Sequence, residues 1–226
     1  MEINADFDRR VVVHPRMLPW LASPIPGVER RMLDRIGDEV ARATTIVRYA
    51  AESKFSAHVH TGGEEFIVLE GVFQDEHGDF PAGSYIRNPP ESTHTPGSSI
   101  GCTIFVKLWQ FDPADRQHVR IDTNSLRLAP SVGRPGARVS LLFEDARETV
   151  QLEAWDCNAS IKMDLPEGGE FFVLNGAFQE GCDLLQEQSW LRIPMGGHLD
   201  AVAGPQGARV WVKTRHLRFV GPPATA

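Results

Sequence analysis

His58-Val59-His60-Thr61-Gly62-Gly63-Glu64, running straight into Glu65-Phe66-Ile67-Val68-Leu69-Glu70-Gly71, is the stretch on which both the fold and the chemistry of this chain turn. Its second part is a β-branched and aromatic run, and Gly62-Gly63 is a turn signal in front of it. Residues i and i+2 of a strand face the same way, so His58 and His60 aim at one point. The same alternation places Glu64, Phe66 and Val68 on one face. It sends Glu65 outward, where a solvated or ion-paired side chain is expected. His94 follows the turn Asn88-Pro89-Pro90. Three imidazoles and one carboxylate can hold a divalent transition metal such as zinc, iron, manganese or nickel. On His58, His60, Glu64 and His94, an octahedral metal keeps two open positions, whereas a tetrahedral zinc keeps none.

The stretch recurs. Glu65-Phe66-Ile67-Val68-Leu69-Glu70-Gly71 matches Glu170-Phe171-Phe172-Val173-Leu174-Asn175-Gly176, 105 residues on. Phe73-Gln74 matches Phe178-Gln179, and Arg87 and Pro89 match Arg192 and Pro194, at the same offset. Gly101-Cys-Thr-Ile-Phe-Val-Lys107 matches Gly207-Ala-Arg-Val-Trp-Val-Lys213 at an offset of 106. Two copies of one domain are expected, over residues 1–113 and 114–226, with a linker near Asp112–Gln117. Each copy reads as all-β. Ala43–Tyr49, Glu65–Glu70, Ser84–Arg87 and Cys102–Trp109 are strand-like, and Gly, Pro, Asp and Ser separate them. Short strands at this spacing predict a sandwich, a jelly roll or a closed barrel.

At the offset of 105, His58 becomes Met163, His60 becomes Leu165, Glu64 becomes Gly169 and His94 becomes Leu199. His198 sits one residue away without partners. The second copy is therefore expected to have lost the metal ligands and to fill its interior with apolar side chains.

Composition narrows the function classes. The chain has 226 residues, 42% hydrophobic and 23% charged, with a net charge of -7. That balance suits a soluble globular protein and argues against direct nucleic-acid binding, which needs a basic surface. No apolar run approaches the ~20 residues of a membrane span. MEINADFDRR has no apolar h-region, so no secretory signal and a cytoplasmic location are expected. Cys102, Cys157 and Cys182 form no metal or disulfide pattern and are expected to be buried or half-buried thiols.

The spacing of His58, His60, Glu64 and Gly71, then Gly83, Pro89 and His94, resembles the two motifs of the cupin superfamily. Two motif glycines are replaced, by Glu52 and Glu91, and Ser98 stands in place of an Asn. The strings Gly62–Gly71, Asp75–Gly83 and Tyr85–Pro90 are similar to the ChrR-type cupin family over roughly residues 25–110. The resemblance implies an all-β fold of two tandem cupin (double-stranded β-helix, jelly-roll) barrels. It also implies zinc on His58, His60, Glu64 and His94, a regulatory or stress-sensing role, and a sigma factor or other regulatory protein as partner. The His-x3-Cys-x2-Cys motif of the family's sigma-holding helical domain does not occur in these residues. The alternative is a metal-dependent dioxygenase using iron, manganese or nickel on a small molecule such as a diketone; acetylacetone-cleaving cupins resemble this layout with three His. A module gripping a small-molecule ligand through the metal is a third reading. Cupins are commonly homodimers, so a homodimer is implied.

Other side chains have quieter expected roles. Tyr85 is assigned to packing, and Arg48 and Arg87 to exposed ion pairs. Trp20, Trp109, Trp155, Trp190 and Trp211 are assigned to core or interface anchoring. The proline-rich lead-in His14–Gly27 is expected to pack as an arm on the barrel or on a partner subunit.

Overall fold

The computed structural model describes residues 1–38 and 40–223. The described residues form strands, turns and two short 3-10 pieces, Pro15–Met17 and His216–Phe219. Among them no helix is long and apolar enough to cross a membrane. The chain divides into two compact units. Among the described residues one comprises Met1–Ala5, Pro19–Ser125 and residues 221–223; the other comprises Asp6–Leu18 and Leu126–Val220.

In the first unit an antiparallel sheet runs in the order Glu2–Ile3, Val28–Gly37, Ala41–Tyr49, Cys102–Leu108, Glu64–Asp75, Ser84–Asn88, Val119–Asp122. A separate antiparallel pair, His58–His60 with Ser92–His94, carries the histidines. The core is apolar: Phe66, Val68, Phe73, Ile86, Ile104 and Val106 pack together with Val28 and Val47. Strand alternation supplies it, because every second residue of a pleated strand points to the same side.

The longest strand of this unit breaks its alternation once. Ile104 pairs with Val68 but Thr103 pairs with Glu70, so Leu69 is an extra residue on the Glu64–Asp75 side. One inserted residue exchanges the two faces for everything downstream. Glu64, Phe66 and Val68 face inward before it, and Phe73 and Asp75 face inward after it. Gly71 follows with φ +71°, and a Cβ there would lie 2.0 Å from the Gly101 carbonyl oxygen. Only glycine fits that approach.

The second unit repeats these registers. Its sheet runs Ala129–Pro130, Ala137–Glu144, Thr149–Trp155, Gly197–Thr214, Gly169–Glu180, Trp190–Ile193, Val11–Val13, again antiparallel. Tyr85 pairs with Ile67 and Asn88 with Glu64; 105 residues on, Trp190 pairs with Phe172 and Ile193 with Gly169. A matching bulge falls at Leu174, between Val173 and Asn175. The core holds Leu165, Phe171, Phe178, Leu191 and Leu199, with Met163 packed against it.

Two segments lie elsewhere than a division at residue 113 places them. Val11–Val13, from the lead-in, pairs with Trp190–Ile193 and belongs to the second unit. Val119–Asp122 pairs with Ser84–Asn88 and belongs to the first. Each supplies the backbone partner that an edge strand lacks. The stretch Asp112–Gln117 is a set of tight turns rather than a free linker. The Ala114 N–H donates to Asp112 Oδ1 at 2.8 Å, and the Asp115 N–H donates to the Asp112 carbonyl at 2.9 Å.

Candidate metal centre

The histidines converge because two strands are held in register. His58 lies opposite His94, and His60 opposite Ser92, in the two-stranded pair. The rings pack edge to face, with centroids 4.7 Å apart for His58–His60 and His60–His94 and 5.1 Å for His58–His94. One ring nitrogen from each lies within 4.8 Å of the others. His60 Nε2 and His94 Nε2 are 2.8 Å apart. The Glu64 carboxylate comes within 3.4 Å of His60 Nε2 and 3.7 Å of His94 Nε2. Metal bonds to these donors are ~2.0–2.2 Å long, so donors this close can share one ion.

The turn between His60 and Glu64 fixes the geometry. The Gly63 N–H donates to the His60 carbonyl at 3.1 Å. Gly63 has φ +77°, and a Cβ on it would sit 2.5 Å from the Phe111 ring. Glu52 and Glu91, which replace the motif glycines, adopt φ +60° and +68°. The backbone keeps its left-handed turns at both places in spite of a side chain that disfavours them. The turn before His94 is thus intact.

Hydrogen bonds orient the donors. His58 Nδ1 donates to the Ser56 carbonyl at 3.1 Å, leaving Nε2 as its donor atom. Asn88 Nδ2 donates to Glu64 Oε2 at 3.3 Å. His94 Nδ1 faces Asp75 Oδ2 at 3.3 Å. Burial lowers the pKa of His60, reinforced by the charges of His94 and His58 against the pull of Glu64. At His94 burial acts the same way, but the Asp75 hydrogen bond and the Glu64 charge outweigh it and raise the pKa. Asp75 is held low. Its burial works upward, and the His94 contact and the His77 N–H overcome it. The site is asymmetric: His94 and Glu64 are buried, His60 is half-buried and His58 is exposed.

Three side chains near the centre are not evident from the sequence motif. Asp75 is one. Phe73 packs its ring 5.8 Å from that of His94. Tyr49 packs on Phe55 and Phe73, and burial together with the Glu64 charge pushes its phenol pKa up. Its place at the end of an apolar strand gave no sign of this.

Arg87, expected in an exposed ion pair, is buried, and Glu65, expected to be solvated or ion-paired, is ion-paired to it but buried as well. Arg87 is fully enclosed, 2.9 Å from Asp115 Oδ2 and 3.6 Å from Glu65 Oε1, with its guanidinium over the Phe111 ring. Glu65 is 1% exposed and accepts a hydrogen bond from the Tyr85 hydroxyl at 2.5 Å. The turns around Asp112 and the added strand Val119–Asp122 flank the face that alternation leaves outward. Arg48 stays partly exposed, pairs with Glu29 and lies over the Trp20 ring at 4.3 Å. Of the thiols, Cys102 is buried and Cys157 and Cys182 are exposed, so the expected burial holds only for Cys102.

In the second unit Met163 and Leu199 face each other, as do Leu165 and Gly197. Among the described residues His58, His60 and His94 make the one cluster of metal-ligating side chains; His198 joins none.

Comparison with known proteins agrees with this architecture. No curated protein matches the sequence. A candidate dioxygenase from Nostoc punctiforme is similar in structure, with a TM-score of 0.77 and 18% identity over 97% of this chain and 87% of that one. The bacterial pirin YhhW from Escherichia coli, in complex with nickel(II), has a TM-score of 0.64 and 12% identity over 91% and 98%. A cupin 2 conserved barrel domain protein from Leptotrichia buccalis has a TM-score of 0.61 and 7% identity over 94% and 99%. The chain therefore has the cupin jelly-roll fold, and its residues 8–112 match the family of the ChrR Cupin-like domain.

Proposed function

We propose that this protein is a duplicated cupin whose first unit binds one divalent transition metal on His58, His60, Glu64 and His94, and that it uses the metal on a small molecule, as a dioxygenase does. One observation carries the reading. Three imidazole nitrogens converge beside a buried carboxylate, and one of the three, His58, is exposed. A metal there supplies a Lewis acid and a template for a small ligand. The chain's own residues do the rest. Ser56 and Asn88 orient His58 and Glu64, and Phe73 walls the buried side with apolar surface. The candidate dioxygenase that shares the fold over nearly the whole chain supports the same class.

The second unit serves as a structural partner domain: the positions equivalent to the ligands hold Met163, Leu165, Gly169 and Leu199, and the equivalents of His60 and His94 are core residues. A zinc-bound regulatory role, with a regulatory protein as partner, is favoured by the match of residues 8–112 to the ChrR Cupin-like domain. The test is oxygen uptake by iron-loaded protein with β-diketone substrates, run beside zinc-loaded protein. Uptake with iron and none with zinc supports the enzyme; none with iron, nor with manganese- or nickel-loaded protein run in the same way, supports the regulatory reading.

A further inference from the structure

We propose that Asp75 is the positioning residue of the centre: its carboxylate fixes the ring of His94 so that Nε2 points at the metal. This role rests on the metal reading above.

The same strand delivers both carboxylates. Glu64 opens Glu64–Asp75 and Asp75 closes it. In strict alternation residues eleven apart face opposite sides, which would turn Asp75 away from the centre. The extra residue at Leu69 exchanges the faces and brings Asp75 back to the side of Glu64. Its side chain is 3% exposed and stands 3.3 Å from His94 Nδ1. A carboxylate only accepts, so Nδ1 carries the proton and Nε2 keeps its lone pair. Asp75 is itself fixed, since its Oδ1 accepts the His77 N–H at 2.7 Å. The neighbouring Glu76 accepts the Thr95 N–H at 2.8 Å, holding the backbone after His94 against the same strand end. A carboxylate behind a ligating imidazole sets ring orientation and tautomer and strengthens the ligand.

The second unit offers an internal contrast. At the offset of 105 Asp75 becomes Glu180, and the imidazole it would orient is Leu199. Glu180 bonds the guanidinium of Arg10 from the lead-in instead. The acid remains there, and its task is different.

The experiment is a zinc competition titration with a chromogenic chelator on the full chain, with 15N NMR of the histidine rings in the metal-free protein. Asp75→Ala is expected to weaken zinc roughly ten- to a hundredfold. Asp75→Asn keeps the shape and is expected to weaken it less. In Asp75→Ala the His94 nitrogens should lose the signature of a proton fixed on Nδ1, whereas Asp75→Asn, whose amide oxygen still accepts from Nδ1, should keep it in part. His77→Ala is the control: it keeps the backbone N–H that Asp75 accepts, and it should bind zinc nearly as the wild type does. Wild-type affinity and an unchanged His94 signature in Asp75→Ala would overturn the positioning role while leaving the metal reading intact. Failure of the wild-type protein to bind zinc or any other divalent transition metal would overturn the metal reading and this role with it.

Discussion

Met163 stands opposite Leu199 in the second unit, in the register that His58 and His94 share in the first. One backbone arrangement thus carries a histidine pair in one unit and an apolar pair in the other.

Substitution should separate the two roles. Leu165, the counterpart of His60, is 3% exposed in the second core. Leu165→Ala should lower stability by about 2–5 kcal/mol through lost burial and a residual cavity, with metal stoichiometry unchanged. His60→Ala should remove the metal at little cost to the metal-free fold. Urea unfolding and metal analysis of both variants check this; loss of metal in folded Leu165→Ala protein would contradict it.

Glu52 and Glu91 hold left-handed backbone that glycine adopts without strain. Glu52→Gly and Glu91→Gly should each leave stability unchanged or raise it by up to about 1 kcal/mol, strain relief exceeding the added chain entropy. Thermal unfolding measures it. A clear loss in either variant would show that the glutamate side chain holds its turn.

Arg87 lies between Glu65 and Asp115, both largely buried. Arg87→Met keeps the volume and leaves two carboxylates without their cation. The expected cost is about 3–5 kcal/mol, as for breaking a buried ion pair. Arg48→Met, at a partly exposed pair, should cost less than about 1 kcal/mol. Equal effects in the two variants would contradict the buried network.

Burial pushes the Cys102 thiol up to about 11, with the Ser98 contact acting weakly the other way. The folded state therefore favours the protonated thiol. Its contribution to stability is present below the unfolded value of about 8.5 and is lost as pH rises toward 11. The gap in stability between wild type and Cys102→Val should shrink across that window. At neutral pH a thiol reagent should modify Cys157 and Cys182 quickly and Cys102 only on unfolding. Fast modification of all three would contradict the burial.

Much of this was legible in the sequence, and the gaps have physical causes. The convergence of His58, His60 and His94, with the Glu64 carboxylate beside them, follows from strand period and turn spacing. Glu170–Gly176 repeats Glu65–Gly71, and the registers of Trp190–Ile193 and Ser84–Asn88 on their neighbouring strands match at the same offset. Asp75 was hidden because one bulge residue, Leu69, inverts the alternation from which its direction would be inferred. The burial of the ion pair Glu65–Arg87 has a different cause. Alternation says which residues leave the core, and it is silent on whether Asp115 and Phe111 will cover them. The places of Val11–Val13 and Val119–Asp122 depend on sheet edges far away in the chain, which no local pattern encodes.

The most direct test of the metal centre is elemental mass spectrometry of untagged protein, wild type beside His94→Ala and His198→Ala. One equivalent of a divalent transition metal per chain is expected in the wild type and in His198→Ala, and none in His94→Ala. No metal in the wild type after reconstitution, or the same loss in both variants, would contradict it.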